Sequence, residues 1–403
     1  MQQGRFGRLN PVVARARRAV ARGVSGLDTA GSAPPLVLVG CSGGADSLAL
    51  AAAALHLQRR GGLRVGAVVV DHQLQDGSQE VARRTAEVLR VAGADPVLVE
   101  RVTVSQRGHG PEMAARLARY AAFQRAVART GAAAVLLGHT RDDQAETVLL
   151  GLTRGSGTRS LAGMSERHVL DGVTYLRPFL WLTRTETETV CAAEGLDPWL
   201  DPTNRDTTLT RSRIRHDVLP HLERELGPGV AKALARTASV LGADADYLDE
   251  QALAALAAAL VQPGTARQRT PQSAPEQDPR PAHLSPGPRA QREPERPGGA
   301  APSSVVLDAA TVQATPPALR RRLLARACAL AGGETPTFER LAALEDFALG
   351  HGAAGPVQLA GKVTAWRHRA DAEHARGCLE LRGGSGSTPQ QTTPTQNNPG
   401  SAQ

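Results

Sequence analysis

The chain has 403 residues, of which 41% are hydrophobic and 21% charged, so it can bury a full core and is expected to form about two domains rather than one small module. Its longest apolar runs, such as LALAAAAL at 48–55, fall well short of the roughly 20 residues that a membrane-spanning helix requires, which excludes a membrane span. Lys and Arg outnumber Asp and Glu by 47 to 39, for a formal net charge of +8, and this balance favours an anionic partner such as nucleic acid, although a surface of solvated arginines would give the same excess.

The cysteines and the N-terminal segment carry further information about the compartment. Four cysteines, at 41, 191, 328 and 378, are widely separated and form no CxxC pair. In a chain of this size that spacing favours a reducing, cytoplasmic compartment and argues against a disulfide framework, a zinc knuckle or a cysteine-held cluster. Residues 1–24 are rich in arginine and free of acids, like a transit peptide, but they lack the apolar core of a secretion signal. We predict an amphipathic helix there.

Up to about residue 200, short apolar runs alternate with alanine-rich segments of helical spacing. The predicted strands cover residues 36–40, 64–71, 95–100 and 133–139. The predicted helices between them cover residues 47–60, 78–93 and 111–131. This alternation predicts an α/β fold with a doubly wound, mostly parallel sheet, whose ligands bind at the carboxyl ends of the strands.

The second half of the chain has a different character. Helical patterns cover most of residues 216–261 and return at 316–333 and 337–350, followed by two short strand-like pieces at 357–369 and 377–384. A smaller, α-rich domain is therefore predicted to follow the sheet. Residues 262–304 are rich in proline and hold almost no large apolar side chain, which predicts a disordered insertion, and the low-complexity stretch 383–403 predicts a flexible tail.

The segment CSGGADS at 41–47 follows the first predicted strand and leads into the first alanine-rich helix. At such a junction several backbone N–H groups point at one spot with the helix dipole behind them, an arrangement that binds phosphate. Two glycines allow the backbone to approach an anion, two serines add hydroxyl donors, and the aspartate can supply an oxygen to a phosphate-bound Mg²⁺. The lysine of a Walker A loop is missing, and an ordinary glycine-rich turn is the alternative. The residues concerned are Ser42, Gly43, Gly44, Ala45, Asp46 and Ser47.

SGGADS resembles the SGGxDS pyrophosphate loop of the N-type ATP pyrophosphatases, and the segments after it resemble those of the tRNA(Ile)-lysidine synthase family in the same order. They are VVVDHQLQDGS at 68–78, GPEMAARLARYAAF at 110–123, GHTRDDQAETVLLGLTRGSGTRSLAGM at 138–164, LRPFLWLTRTE at 176–186 and DPTNRDTTLTRSRIRHDVLP at 201–220. Three positions depart from the family's pattern: Gln75 stands where arginine is usual, Thr140 where histidine is common, and Ser212 where asparagine is found.

The resemblance implies a specific reaction. The family uses ATP and Mg²⁺ to adenylate the C2 oxygen of the wobble cytidine in the CAU anticodon of an isoleucine tRNA, and free L-lysine then attacks C2 through its ε-amine. AMP and pyrophosphate are released, and no membrane is involved. The sequence leaves the oligomeric state open, with a homodimer among the alternatives. The resemblance also divides the chain into an N-terminal helical segment (1–33), a catalytic domain (34–215), an α-rich tRNA-binding domain (216–382) and the tail (383–403).

The GHTRDDQAE segment supplies further candidate site residues. With a helix beginning near Arg141, His139 and Asp143 meet at a strand end, while Asp142 and Glu146 share one helix face. Acids in a first helical turn often only offset the dipole. Beside a phosphate loop, however, they also suit a metal, a cationic lysine or removal of its proton. The predicted catalytic residues are Asp46, His139, Asp143 and Arg116. Asp46 is also the predicted metal ligand.

Two further sets of residues are predicted to bind the substrates. Asp71 and His72 end the second strand, where the ribose or adenine of ATP would lie, and the resemblance adds them to the ATP-binding residues. Arg205, Arg211, Arg213 and Arg215 form the densest basic cluster and are predicted to bind tRNA, because forked guanidinium groups suit RNA phosphates. For Arg213 and Arg215, ion pairs that brace the two domains against each other are an equal alternative. A second basic cluster lies at 320–322.

Three other classes of protein share parts of this pattern. A tRNA thiolase with a pyrophosphate loop would require reactive or cluster-binding cysteines, which the cysteine spacing does not favour. A small-molecule amide ligase would lack the RGSG and RIR segments. A non-catalytic nucleotide-binding module would not need the DDQAE acids beside the loop.

Overall fold

The structure is a computed structural model that describes residues 10–27, 33–73, 77–104, 110–155, 157–261, 304–351, 355–370 and 377–383. Along these residues the chain passes from one compact unit to a second between Asp246 and Tyr247, and the domain bounds given by the sequence analysis stay predictions. The predicted insertion and tail lie outside the described residues, except for Ser304 and Gly383, which belong to strands.

The first unit contains a six-stranded sheet and most of the helices. Its strands are β1 (Leu36–Gly40), β2 (Arg64–Asp71), β3 (Val97–Arg101), β4 (Ala134–Leu137), β5 (Arg167–Leu170) and β6 (Val173–Leu176). Its helices are α1 (Pro11–Val24), α2 (Ala45–Arg59), α3 (Ser78–Val91), α4 (Pro111–Thr130), α5 (Arg141–Thr153), α6 (Thr158–Leu161), α7 (Arg184–Ala193), α8 (Thr210–Arg213) and α9 (Leu219–Leu226). A 3₁₀ turn covers Pro202–Arg205, and a π-helical turn, Ile214–Val218, joins α8 to α9.

The strands lie in the order β3-β2-β1-β4-β6-β5, and every neighbouring pair is parallel except β5 and β6. All four predicted strands are present, and the predicted doubly wound, mostly parallel α/β fold is confirmed. Strand β1 is central because its run of small apolar residues is buried: Val37 pairs with Val65 on β2 and with Ala134 on β4. Helices α1, α2, α3 and α7 contribute to the core on one face of the sheet, and α4 contributes to the core on the other.

The strand order places the ligand crevice. From β1 the chain continues to β2 and β3 on one side and then returns to β4 on the other side of β1. The direction of winding therefore reverses between β1 and β4, and the loops after these two strands flank a crevice at the carboxyl edge of the sheet. These are the loops that carry the SGGADS and GHTRDDQAE segments.

The N-terminal helix is amphipathic, as predicted. Asn10 caps α1 by accepting a hydrogen bond from the N–H of Val12 at 2.9 Å, and Pro11 occupies the first turn, where a missing N–H costs nothing. Val13, Ala16 and Val20 are buried on its inner face. Helix α1 is therefore part of the folded first unit.

A 30-residue helix, α10 (Val230–Ala259), begins in the first unit and ends in the second. The second unit contains a four-stranded antiparallel sheet in the order β7-β10-β9-β8, formed by β7 (Ser304–Asp308), β8 (Val357–Leu359), β9 (Val363–His368) and β10 (Cys378–Gly383). Its helices are α11 (Ala309–Ala314), α12 (Pro317–Leu330) and α13 (Phe338–Ala348). The prediction of a smaller domain is confirmed, but this domain has a sheet as well as helices. No helix in the described ranges has the length and apolarity to cross a membrane.

Candidate active site

The loop after β1 has a backbone that only glycine adopts without strain. Gly43 has φ +85°, in the left-handed region, and a Cβ atom there would lie 2.5 Å from Oγ1 of Thr85. The Gly43 carbonyl accepts a hydrogen bond from the N–H of Trp199 at 3.0 Å. Gly44 is the N-cap of α2, and no side chain of the described residues caps this helix end. The first N–H groups of α2 therefore point at the crevice, as a phosphate-binding loop requires.

The two serines of the loop differ in what they can do. Ser47 is buried, and its hydroxyl accepts a hydrogen bond from the N–H of Ser42 at 3.2 Å and donates one to the Gly44 carbonyl at 3.0 Å. Ser47 thus stabilises the loop from the inside. The side chain of Ser42 is exposed, so its hydroxyl is the one that can reach a bound phosphate.

Asp46 lies in the first turn of α2 with its side chain 24% exposed. Its Oδ1 accepts a hydrogen bond from the hydroxyl of Thr187, and its Oδ2 lies 3.5 Å from Nε of Arg184. Burial raises the pKa of Asp46, and the Thr187 hydrogen bond and the Arg184 charge offset only part of that rise. The carboxylate is therefore held in place by α7 while facing the crevice.

The loop after β4 lies directly against α2. A Cβ atom on Gly138 would come within 2.9 Å of the Asp46 carbonyl oxygen and 3.1 Å of the Cα of Ser47, both of them backbone atoms. Only glycine allows the two loops to come this close. The next residue, His139, is neutral at pH 7, because burial, with the charge of Arg177 adding to it, lowers its pKa to about 3. Its Nδ1 is buried without a hydrogen-bond partner in the part of the chain that the structure describes.

Asp143 joins several elements through one carboxylate. Oδ2 of Asp143 accepts two hydrogen bonds from Thr140, one from the backbone N–H at 2.8 Å and one from the hydroxyl at 2.9 Å. These bonds are part of a capping box at the start of α5. Oδ1 of Asp143 lies 3.3 Å from Nη2 of Arg184 and 3.2 Å from Nη2 of Arg215. Thr140, where the family commonly has histidine, is fully buried and supplies this cap.

The charges around Asp143 keep it ionised. Burial raises the pKa of Asp143, but the neighbouring charges outweigh burial, and the pKa lies below its ordinary value, with His139 and then Arg184 as the main causes of the lowering. Because His139 itself is neutral at pH 7, we attribute the ionised state mainly to the guanidinium groups of Arg184 and Arg215 and to the Thr140 N–H.

Glu146 and Asp142 serve different partners, although they lie on one face of α5. The fully buried Glu146 accepts hydrogen bonds from Nε of Arg215 at 2.7 Å and from its Nη2 at 3.1 Å. Burial raises the pKa of Glu146, and the Arg215 hydrogen bond lowers it only in part. Asp142 accepts a hydrogen bond from the backbone N–H of Arg184 at 2.7 Å, so it fixes the start of α7.

Arg184 was missed in the sequence analysis, although it bridges the two predicted catalytic acids. It is the first residue of α7, which Thr183 caps in a second capping box. From there its guanidinium contacts both Asp46 and Asp143. The only signal was its place in the family-like segment LRPFLWLTRTE, because an arginine in a first helical turn has no chemical signature of its own.

Arg116 lies on α4 beside a small cavity of about 240 Å³, lined in part by Met113, Met164 and Arg177. Its Nη2 is 3.3 Å from the hydroxyl of Tyr120, and its guanidinium carbon lies 4.9 Å from the centre of that ring. Arg177, almost fully buried, donates to the same hydroxyl at 3.2 Å. The cavity thus combines an aromatic wall with two guanidinium groups, which suits the base or the phosphate of a nucleotide.

Asp71 and His72 lie at the end of β2, as predicted. Asp71 is buried; its Oδ1 accepts a hydrogen bond from the N–H of Gln73 at 3.1 Å, and its Oδ2 lies 3.7 Å from Nε of Arg101. Burial lowers the pKa of His72 to about 4, with the charge of Arg119 as the next cause, so its ring is neutral at pH 7. Asp71 therefore stabilises the turn after β2, and its predicted contact with ATP stays a prediction.

The predicted tRNA-binding arginines have partners within the first unit. Arg211 lies 3.1 Å from Glu112, and Arg213 donates to the carbonyl of Thr207 at 3.2 Å. Arg215 forms ion pairs with Glu146 and Asp143 inside the first unit, and both its predicted contact with tRNA and the alternative that it braces the two domains stay predictions. The side chain of Arg205 lies outside the described part of the chain.

In the second unit, the predicted basic cluster at 320–322 is also ion-paired. Arg321 lies 2.6 Å from Glu345, Arg320 lies 3.8 Å from the same carboxylate, and Arg322 pairs with Asp249. These arginines therefore contribute to the packing of the second unit.

Comparisons with known proteins identify the family of the chain. Residues 19–222 match the model of the PP-loop domain family, and residues 307–372 match that of the TilS substrate binding domain. The chain is 54% identical over 248 residues to the tRNA(Ile)-lysidine synthase of Salinispora arenicola (strain CNS-205), covering 62% of this chain and 73% of that protein. It is 45% identical over 344 residues to the tRNA(Ile)-lysidine synthase of Streptomyces coelicolor, covering 85% and 84%. The chain belongs to the tRNA(Ile)-lysidine synthase family.

Membership in the tRNA(Ile)-lysidine synthase family confirms the resemblance, and with it an enzyme that uses ATP and modifies tRNA. Among solved structures, the chain matches the U34-tRNA thiolase NcsA from Methanococcus maripaludis over 57% of this chain and 80% of that one, with a TM-score of 0.46 and 17% identity, too distant a likeness to bear on function. The roles of individual site residues stay predictions.

Proposed function

We propose that this protein joins free L-lysine to C2 of the wobble cytidine in the CAU anticodon of an isoleucine tRNA, with conversion of ATP to AMP and pyrophosphate. The observation that carries the proposal is the bridge at Arg184. Its guanidinium contacts both Asp46, the aspartate of the phosphate loop, and Asp143, an acid in the first turn of α5. One crevice thereby holds a phosphate-binding loop and carboxylates suited to a cationic substrate.

ATP binding rests on the loop between β1 and α2. The N–H groups at the start of α2, the open backbone at Gly43 and Gly44 and the exposed hydroxyl of Ser42 supply donors for its phosphates. Asp46 fits Mg²⁺, because one partly exposed carboxylate suits an ion whose other ligands are phosphate oxygens and water. Within the described residues no group of three or more His, Cys, Asp or Glu side chains forms a metal site, in keeping with an ion carried by the nucleotide. When bound, Mg²⁺ would neutralise the phosphate charge.

The proposed reaction has two steps, an adenylation and then a substitution. The C2 oxygen of cytidine attacks the α-phosphorus of ATP, and the bond to the β-phosphate oxygen breaks to release pyrophosphate. The ε-amine of lysine then attacks C2, the C2–O bond breaks, AMP leaves, and the new C–N bond remains after the amine has lost its proton. Adenylation is needed because the free oxygen is a poor leaving group.

Among the acids of α5, Asp143 is the residue that we expect to bind the lysine ammonium. Asp143 is ionised, and Glu146 lies one helical turn further along with its charge balanced by Arg215. His139 has a pKa of about 3, too low to remove a proton from an ammonium group efficiently, so we expect it to form a hydrogen bond with the substrate through Nδ1, which has no partner among the described residues. Arg116 and Arg177 lie at the nearby cavity, where the displaced cytidine would fit.

The cysteines do not favour the thiolase alternative. All four are buried, and burial raises the pKa of Cys41 and brings those of Cys191 and Cys328 to about 12. Such thiols hold very little of the thiolate that sulfur transfer requires.

The proposal is tested by measuring pyrophosphate release with and without lysine and with and without an isoleucine tRNA transcript that carries CAU, together with incorporation of labelled lysine. We expect release to depend on the tRNA, and one lysine to enter per AMP formed. Release that needs no tRNA, or incorporation of sulfur instead of lysine, would contradict the proposal. The oligomeric state, for which a homodimer is one alternative, is checked separately by light scattering of the purified chain.

A further inference from the structure

A groove lies beside α1 in the first unit, outside the site described above. It has a volume of about 720 Å³ and is lined by α1 and by the segment 178–182. Its chemically distinctive residues are Arg15, Arg18 and Arg22 on the helix and Trp181 and Leu182 on the segment. We refer to it as the N-terminal groove.

The arginines of the N-terminal groove form one stripe along α1. Arg15, Arg18 and Arg22 are three and four residues apart, so they share one helix face, opposite the buried Val13 and Val20. The side chain of Arg15 is 49% exposed and that of Arg22 is 66% exposed. A row of exposed guanidinium groups along a helix suits a chain of phosphates.

Trp181 gives the groove an aromatic surface. The residue is 38% exposed, although the chain has only three tryptophans. Its indole Nε1 donates a hydrogen bond to Glu166 at 2.7 Å, so the orientation of the ring is fixed. An oriented, partly exposed indole next to arginines is a stacking platform of the kind that single-stranded nucleic acids use.

The acids near the groove do not cancel its charge. Glu186 pairs with Arg15, and Glu166 lies 3.9 Å from Arg22, while Arg18 has no ion pair among the residues that the structure describes. Three arginines against two glutamates leave the groove basic. An acidic ligand without aromatic groups would use only the charge of the groove, and an apolar ligand would use only the indole. RNA uses both.

The floor of the groove continues into the candidate active site. The carbonyl of Leu182 accepts a hydrogen bond from the N–H of Arg141, the first residue of α5, at 2.8 Å. The next residues are Thr183, which caps α7, and Arg184, which contacts Asp46. A strand bound in the groove would thus lie next to the crevice.

We propose that the N-terminal groove binds the single-stranded RNA that flanks the modified nucleotide, with the α1 arginines on its phosphates and one base stacked on Trp181. This inference rests on the proposed function for the identity of the RNA. It assigns to α1 a role in substrate binding in addition to its part in the core.

The test compares binding of a hairpin RNA with a CAU loop to the full chain and to four variants, by fluorescence anisotropy at several salt concentrations without ATP or lysine. We expect Arg18→Glu to weaken binding about tenfold and to lower the steepness of its salt dependence by about 0.7 for each lost phosphate contact. We expect Trp181→Ala to weaken binding at least fivefold and Trp181→Phe to retain most of the affinity, because a phenyl ring still stacks.

The matched control is Arg64→Glu, which makes the same charge change at an exposed arginine at the start of β2, the opposite edge of the parallel sheet. Tryptophan fluorescence adds a direct readout, since quenching by RNA should be smaller in Trp181→Phe than in the parent. Equal loss of affinity in Arg18→Glu and Arg64→Glu, or parental affinity in both Arg18→Glu and Trp181→Ala, would overturn the proposal. Failure of the proposed function would appear differently, as absent lysine incorporation with RNA binding still sensitive to Arg18.

Discussion

Arg215 holds the fully buried carboxylate of Glu146 in a forked pair of hydrogen bonds, at 2.7 Å and 3.1 Å. The pair joins α5, which carries the candidate lysine-site acids, to the π-helical turn at Ile214–Val218. The buried carboxylate depends on this pair, because removing Arg215 would leave Glu146 buried without it.

We therefore predict that Arg215→Ala destabilises the first unit by about 3–5 kcal/mol, while Arg213→Ala costs less than about 1 kcal/mol because Arg213 donates only to an exposed backbone carbonyl. Urea unfolding followed by circular dichroism measures both values. Comparable, small losses for the two variants would show that Arg215 does not brace the fold and would favour its predicted contact with tRNA.

Asp46 provides a prediction about the chemical step. Asp46→Asn keeps a side chain that can still accept the Thr187 hydrogen bond, so the fold should persist. Loss of the charge should lower ATP-dependent pyrophosphate release at least a hundredfold, about 2.7 kcal/mol of transition-state stabilisation. Turnover is followed in a coupled pyrophosphate assay at saturating Mg²⁺, with Thr187→Val as a control that removes the hydroxyl and leaves the carboxylate. A variant with near-parental turnover would exclude Asp46 as a metal ligand.

Gly138 tests the close approach of the two crevice loops. In Gly138→Ala the new methyl group would meet the Asp46 carbonyl oxygen at 2.9 Å, and backbone atoms cannot move aside as a flexible side chain can. We expect a loss of about 1–3 kcal/mol in stability and weaker ATP binding, measured with a fluorescent ATP analogue. Gly110→Ala is the control, because a Cβ there meets nothing within 4 Å and its φ is negative. If both variants bound ATP equally well, the loops would be more compliant than their separation indicates.

The sequence predicted the strands, the crevice and the phosphate loop because these features are local. A buried parallel strand is a run of small apolar residues, and SGGADS combines glycine, serine and aspartate within one turn. Arg184 could not be predicted in the same way, since its partners Asp46 and Asp143 are distant in sequence and meet only through the strand order. The sheet of the second unit was only partly predicted, because β7 is a run of five residues directly after the proline-rich stretch, and the single strand-like piece predicted at 357–369 contains two strands, β8 and β9.

Glu380 gives the second unit a pH-dependent contribution to stability. The hydrogen bond from Arg382 is the main reason that the pKa of Glu380 falls to about 2, with Ser304 and His368 adding to it. A carboxyl with a lowered pKa stabilises the fold above its unfolded value of about 4.5, and this stabilisation is lost as the pH falls from there toward 2. At pH 7 we expect Glu380→Gln to cost about 1–2 kcal/mol, reduced from the full linkage value because Arg382 is half exposed.

The measurement is the difference in unfolding free energy between the parent and Glu380→Gln at several pH values. Fluorescence of Trp366, which is paired with Glu380 across β9 and β10, reports on this unit. The difference should shrink as the pH falls below 4.5. A difference that does not change with pH would mean that Glu380 acts through its size and not through its charge.

The last prediction separates lysine from sulfur as the group that enters the tRNA. Cys191 donates to the carbonyl of Ala45 at 3.3 Å. Cys328 is buried in the core of the second unit, and Cys378 is buried at the start of β10. Cys191 and Cys328 behave as small apolar side chains, since burial brings the pKa of each to about 12. The variant with Cys191, Cys328 and Cys378 changed to alanine should therefore incorporate labelled lysine at a rate near the parent's, while losing roughly 1 kcal/mol of stability per site. Cys41→Ala, next to the phosphate loop, should cost stability more than activity. If the triple variant kept its fold and its ATP binding but lost turnover, or if sulfur entered the tRNA, a cysteine would be taking part in the chemistry and the thiolase alternative would replace lysidine formation.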